Sequence, residues 1–288
     1  MRLLHELRRR GTIAAVARAL HFSPSAVSQQ LAVLEAEAGA RLVERVGRGV
    51  RLTAAGLRLA EDAEAVLIRL EEAEARLAAL GDEPDGTVRV AAFQTATLAL
   101  LPPAITALAA HPRLRVEIIQ AEPEQALPAL LAHDVDLLVG EEYPGEPAAR
   151  SSATHREELW DDPLRVAGGD LIELGERPWV MEPPGSAARR WALARCRATG
   201  FEPDVRYESA DLLAHVALVT HGHAAAFLPD LLWAGRPPQV PLFALPGQAR
   251  RLFTLVRRGG ADHPAVRAVR ASLRFQDPRN VSSPAGVV

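Results

Sequence analysis

The chain has 288 residues and no lysine; all 33 of its basic residues are arginine. That absence excludes a P-loop lysine, a Schiff-base lysine and a kinase-type lysine together. There is one cysteine, Cys196, so no disulfide can form within the chain. No run approaches the roughly 18 apolar residues of a membrane span. The first residues, Met1-Arg2-Leu3-Leu4-His5-Glu6, carry no apolar stretch of the kind a secretory signal needs. These absences lead us to expect a cytoplasmic protein with no membrane partner. No G-x-S-x-G, H-E-x-x-H or dinucleotide fingerprint is found, so neither an enzyme nor a cofactor is expected. His215, His221 and His223 lie close in sequence but fit no metal-ligand spacing.

The net charge of -3 hides a partition. Residues 1–58 carry ten Arg against four Glu, and residues 59–83 carry two Arg against eight acids. A basic block beside an acidic one is the footprint of a nucleic-acid module joined to a segment that avoids nucleic acid.

Within the basic block, Leu3, Leu4 and Leu7 mark one face of a helix over 2–10 that Gly11 ends. Thr12 caps a second helix, with Ile13, Val16, Ala17 and Leu20 inward. Ser23 caps a third, from Pro24 to about Ala38, with Val27, Leu31 and Leu34 inward. Two short helices joined by His21-Phe22-Ser23 make a helix-turn-helix. Ser25, Ser28 and Gln29 then face outward, where hydroxyls and an amide suit phosphates and base edges. Residues 41–53 read as two short strands around a Gly-flanked turn, with Arg48 at the tip and Arg45 and Arg51 beside it. Such a basic wing suits a narrow minor groove or its phosphates.

Over residues 54–80 a long helix is predicted. Leu59, Ala63, Val66, Leu70, Ala73, Leu77 and Leu80 keep 4-3-4-3-4-3 spacing, the pattern of a helix paired with its copy. Gly81 should stop it, and 82–86 reads as a hinge. Strands then alternate with helices from Thr87 to Arg274, with one helix over 98–110, a return strand near 164–167 and two closing strands over 240–245 and 252–256, indicating βαβ units and a parallel sheet in two cycles. We therefore expect a winged helix-turn-helix over 1–58, a dimerisation helix and hinge over 59–86, a two-lobed α/β domain over 87–276 and a disordered tail over 277–288.

Two-lobed α/β folds bind ligands outside the carboxyl ends of strands, near helix N-termini. That rule selects Thr95, Ala96 and Thr97 after the first strand, Gly185, Ser186 and Ala187 at a second-lobe helix, and Ser209 and Ala210 at another. Facing helix N-termini favour an anion, most simply a carboxylate.

The run Ala17-x-x-Leu20-His21-Phe22-Ser23-x-x-Ala26-Val27-Ser28-x-Gln30-Leu31-x-x-Leu34-Glu35, followed by Gly39-x-x-Leu42-Val43-x-Arg45 and Leu52-Thr53-x-x-Gly56, resembles the signature of LysR-type transcriptional regulators. Val43 stands where that family usually has Phe, and Pro24-Ser25 where Gln-Pro is common. A looser resemblance to the family's periplasmic-binding-protein-like effector domain rests on Phe93-Gln94-Thr95-Ala96-Thr97, on Asp136-Leu137-x-Val139-Gly140, and on Glu208-Ser209 before Phe227-Leu228-Pro229. The resemblance implies sequence-specific binding to an inverted repeat in double-stranded promoter DNA, with Ser23, Pro24, Ser25, Ser28, Gln29 and the three wing arginines as contacts. It also implies control by a small-molecule effector, assembly as a dimer or tetramer, and RNA polymerase as a further partner. The second half alone would also fit a periplasmic solute-binding protein, against which the basic N-terminal block argues.

Overall fold

The computed structural model of the chain describes residues 1–274 apart from His21, Arg48, Asp82 and Gly235. They divide into one unit of Met1–Leu80 with Arg258–His263, and a second of Gly81–Arg257 continuing from Pro264. The expected tail, 277–288, lies outside the described residues.

Local chemistry sets the first unit. Helix α1 (Arg2–Arg10) ends at Gly11. Thr12 Oγ1 accepts from Ala15 N–H and starts α2 (Ile13–Ala19). Ser23 Oγ accepts from Ala26 N–H at 3.1 Å and starts α3 (Pro24–Ala38). This helix closes on Gly39 at φ 62°, a left-handed conformation that costs glycine nothing. Leu4, Leu7, Val16, Ala17, Val27 and Leu31 meet in one core. Strands β1 (Val43–Val46) and β2 (Gly49–Leu52) pair antiparallel as the wing. Glu35 fastens α3 to it: Oε1 accepts from Leu42 N–H at 2.7 Å and Val43 N–H at 3.0 Å.

Helix α4 (Ala54–Ala78) begins on the Thr53 cap. It closes at Ala78, before Gly81, with Ala79 N–H bonded to Ala75 O. Its first half buries Ala60 and Ala63, whereas Val66, Leu70 and Leu77 stay exposed farther along. No helix among the described residues is long and apolar enough to cross a membrane.

The second unit alternates as expected at first: β3 (Gly86–Ala92), α5 (Gln94–Ala99), α6 (Leu101–Leu108), β4 (Leu114–Gln120), α7 (Pro123–Leu131) and β5 (Leu137–Glu142). Strand β3 runs parallel to both β4 and β5. The single helix expected over 98–110 is two, and it starts earlier. Pro102 and Pro103 have no N–H to offer Leu98 and Ala99, so the helix breaks at Leu100.

Strand β6 (Thr154–Ala167) is far longer than the return strand expected near 164–167. Its acidic residues obscure the apolar alternation and find arginines across the sheet, such as Arg250 for Asp162 and Arg251 for Asp161. Then come β7 (Pro178–Met181), α8 (Ala187–Thr199), β8 (Asp204–Glu208), α9 (Leu212–Thr220) and β9 (Ala226–Pro229). The two closing strands expected over 240–256 are one, β10 (Leu242–Arg257), with a register shift between Ala244 and Ala249; α10 (Pro264–Arg274) follows.

The main sheet runs β4-β3-β5-β10-β6-β9, so it is mixed rather than parallel. Strands β6 and β10 lie antiparallel, join β5 at one end and β9 at the other, and thus cross between two lobes. The second lobe adds the parallel pair β7-β8. Its core includes Trp179, Trp191 and Phe227, with Phe227 4.9 Å from each indole centroid.

Gly56 yields a test. A Cβ there would lie 2.0 Å from Leu42 O, a backbone atom. Gly56→Ala should destabilise the first unit by about 1–3 kcal/mol. Far-UV circular dichroism should show an earlier thermal transition. Tryptophan fluorescence, whose reporters Trp160, Trp179, Trp191 and Trp233 lie in the second unit, should not move.

Candidate nucleic-acid interface and ligand cavity

On α3 the expected contacts Ser23, Pro24, Ser25, Ser28 and Gln29 are all exposed. Some of their capacity is already used. Ser23 Oγ caps the helix and lies 2.9 Å from Ser25 Oγ, and Ser28 Oγ donates to Pro24 O. The Gln29 amide has no partner among the described residues and keeps both its donor and its acceptor. On the wing, Arg45 is exposed. Arg51 donates twice to Glu44 Oε1, at 3.0 and 2.7 Å, so a phosphate must compete for it. Arg48 lies outside the described residues.

The second unit holds a cavity of about 350 Å³. Its walls come from carboxyl ends of the parallel strands: Phe93 to Thr95 after β3, Glu122 to Gln125 after β4, Glu141 and Tyr143 at β5, Glu182 to Ala188 after β7, and Ala210 after β8. Of the expected ligand residues, Thr95, Ser186 and Ala210 line it, with Gly185 and Ala187. Ala96, Thr97 and Ser209 do not. Thr97 sits one helical turn on, and its hydroxyl donates to Phe93 O. Ser209 was expected to open α9, but the cap is Asp211, whose Oδ1 accepts from Leu213 N–H. Ser209 Oγ accepts from Asp211 N–H instead, and its carbonyl is held by His215 Nε2 at 2.8 Å.

Arg250 of β10, 1% exposed, is the cavity's buried cation. It donates to Asp162 Oδ2 at 2.9 Å, to Thr95 Oγ1 at 2.7 Å and to Glu141 Oε2. Burial opposes its charge, but Glu141 and Asp162 outweigh burial and hold the guanidinium charged. The carboxyls around it are perturbed upward. Burial, then the nearby Glu141, Glu124 and Glu182, push Glu122 up to about 7. Burial raises Glu182 and Glu141 as well, the latter against the pull of Arg250.

Two contacts tie the lobes together. Gln94 donates from Nε2 to Asp211 Oδ1 at 2.5 Å and accepts Leu212 N–H at 2.8 Å. Glu124 Oε1 accepts Ala187 N–H at 3.2 Å. A protein carboxylate therefore occupies the first turn of α8, where the sequence led us to expect a ligand's.

Arg250, Glu122, Glu141, Glu182, Tyr143 and Gln94 were not among the residues selected from sequence. Three glutamates were within reach of the same rule: Glu122 and Glu182 follow β4 and β7, and Glu141 ends the apolar run of β5. Arg250 had no local signal. Burial pushes the Cys196 thiol up to about 12, which leaves it protonated and unreactive. Among the described residues no group of His, Cys, Asp and Glu could hold a metal ion.

Residues 1–57 match the bacterial regulatory helix-turn-helix of the lysR family, and residues 81–276 match the LysR substrate binding domain. The chain belongs to the LysR family of transcriptional regulators. It is 30% identical to the regulator TfdS of Cupriavidus pinatubonensis over 256 residues, 80% of this chain and 81% of TfdS. In fold, this LysR-family chain is similar to full-length OxyR from Pseudomonas aeruginosa, at TM-score 0.66 and 18% identity, covering 96% of this chain and 94% of that one. It is also similar to the effector binding domain of BenM solved with its effector benzoate, at TM-score 0.55 and 17% identity, covering 72% and 99%. The regulator thus joins a DNA-binding helix-turn-helix to a two-lobed effector-binding domain.

Two predictions follow from the cavity. Arg250→Met leaves Asp162 and Glu141 buried without their cation and should cost about 3–5 kcal/mol in urea unfolding followed by tryptophan fluorescence. Glu122 binds its proton more tightly folded, at about 7, than at the ordinary 4.5. The stability this proton contributes is full below 4.5 and is lost as pH rises to about 7. Melting temperature should fall across that window, and Glu122→Gln should flatten the fall.

Proposed function

We propose that this regulator binds an inverted repeat in promoter DNA as a homodimer or tetramer and changes that binding when a small molecule fills the cavity between its lobes. Residues 1–58 serve DNA, 59–86 join two copies, and 87–276 hold the effector. The observation that carries the reading is the exposed outer face of α3, where Ser25, Ser28 and Gln29 stand and the Gln29 amide has no partner among the described residues. Gln29 would pair with a base edge in the major groove, while Arg45, Arg48 and Arg51 hold flanking phosphates or the minor groove.

Self-association is supported by α4. Val66 and Leu70 are each 54% exposed and Leu77 is 70% exposed, all on heptad positions of the helix, and Leu80, just past its end, is 81% exposed. A second copy of the helix covers such a ridge, and a two-fold dimer presents two recognition helices to two half-sites. RNA polymerase and a cytoplasmic location belong to the same reading. So does action by binding alone, without catalysis.

The effector sits among Thr95, Ser186 and Ala210, with Arg250 behind them. The benzoate of the BenM effector domain favours an organic acid. An effector shifts DNA binding only through different affinity for two arrangements of the lobes or subunits, and the Gln94 and Glu124 contacts between lobes are groups such a ligand can displace.

The test is binding to duplex DNA from upstream of the protein's own gene across a salt series. Wild type should bind with strong salt dependence. Arg48→Ala and Arg45→Ala should each reduce the logarithmic salt slope by about 1, and Gln29→Ala should erode preference for promoter over random duplex. No binding to either duplex at low salt would sink the reading.

A further inference from the structure

The cavity wall holds more carboxyls than its own cation can balance. Glu122, Glu124, Glu141 and Glu182 line it together with Arg250. Arg250 is committed to Glu141, Asp162 and Thr95. Glu124 is committed to Ala187 N–H. Glu122 and Glu182 remain. No side chain among the described residues donates to either carboxyl; Glu182 reaches only its own backbone amide. The nearest further cation, Arg189, donates instead to Glu182 O and to Glu208 Oε1. Glu182 is half-buried as a residue, but its carboxyl lies deep among protein atoms in the cavity wall.

Two neighbouring carboxyls drawn partly out of water, with no cation bonded to either, are costly to ionise, and proteins keep such groups where a ligand completes them. The apolar part of the lining, Phe93, Pro123, Pro183, Ala188 and Leu212, suits a small organic body rather than a bare ion.

We propose that the effector carries a positively charged nitrogen, an ammonium, amidinium or guanidinium on a small hydrocarbon frame, which Glu122 and Glu182 receive as paired carboxylates. The inference rests on the cavity being the effector site. It deepens that reading by naming the chemistry of the ligand. A carboxylate elsewhere on the same molecule is compatible, since it can take the Ala187 N–H that Glu124 now holds. The groups facing Glu122 are Glu124 on α7, Glu141 on β5, Glu182 behind β7 and Arg250 on β10, three acids against one spent cation. An incoming cation expels the proton of Glu122. Binding should therefore release protons near neutral pH and tighten as pH rises through about 7.

The test uses the full chain and ring compounds that differ in charge: benzylamine, 4-(aminomethyl)benzoate, benzoate and benzyl alcohol at matched millimolar concentration. Melting is followed by tryptophan fluorescence on both sides of pH 7, and calorimetry in buffers of different ionisation enthalpy counts protons. The expected result is stabilisation by benzylamine or the zwitterion, greater at the higher pH, with proton release. Glu182→Gln and Glu122→Gln should each weaken it about tenfold or more. Both variants keep the shape of the side chain, and without ligand they should melt no lower than wild type above pH 7. That comparison separates lost binding from failed folding. Stabilisation by benzoate or benzyl alcohol alone, or by neither amine, overturns the proposal. Promoter binding does not enter this readout: amine binding without DNA binding would leave the inference standing and remove the regulatory reading, and the converse would do the opposite.

Discussion

The Arg250 guanidinium is the point on which the effector domain is assembled. It joins β10 to Asp162 on β6, Glu141 on β5 and Thr95 on α5. Asp162 extends the network, since its other oxygen accepts Leu231 N–H at 2.9 Å. Every one of these groups is buried, so each would be costly alone and is tolerable only with the others in place. The crossing strands and the cavity floor are thereby fixed together. The same demand shapes the cavity's chemistry: because Arg250 is consumed in holding the fold, it leaves the outer glutamates unbalanced.

The DNA-binding unit depends on smaller and more local bonds. Serine and threonine caps open α2, α3 and α4, Glu35 satisfies two wing N–H groups, and Thr53 Oγ1 donates to Arg41 O while accepting from Gly56 N–H. The close approach of Gly56 to Leu42 explains why the motif needs glycine there. On the outer face of α3 this machinery engages Ser23, Ser25 and Ser28 but leaves the Gln29 amide without a partner among the described residues.

The two ligand surfaces differ in how their charge is managed. On the wing, Arg45 stands exposed in water, where attraction to phosphate costs little desolvation. In the cavity, carboxyls are held away from water and answer by keeping protons.

Sequence alone determined what local spacing controls. The caps at Thr12 and Ser23, the helix over Pro24–Ala38, the wing strands, the family and the rule that ligands gather at strand ends were all legible, because each depends on residues a few positions apart. Thr95, Ser186 and Ala210 were found by that rule. Only the tertiary structure decided the rest. Arg250 meets its partners across 88, 109 and 155 positions, so no window of sequence shows that it is buried or paired. The lengths of β6 and β10 were hidden for the same reason, since their charges look exposed until the opposite strand neutralises them. The sign of the cavity was decided there too: it is a sum over groups brought together from β4, β5, β7 and β10, and Coulomb energy depends on distance in space, not along the chain.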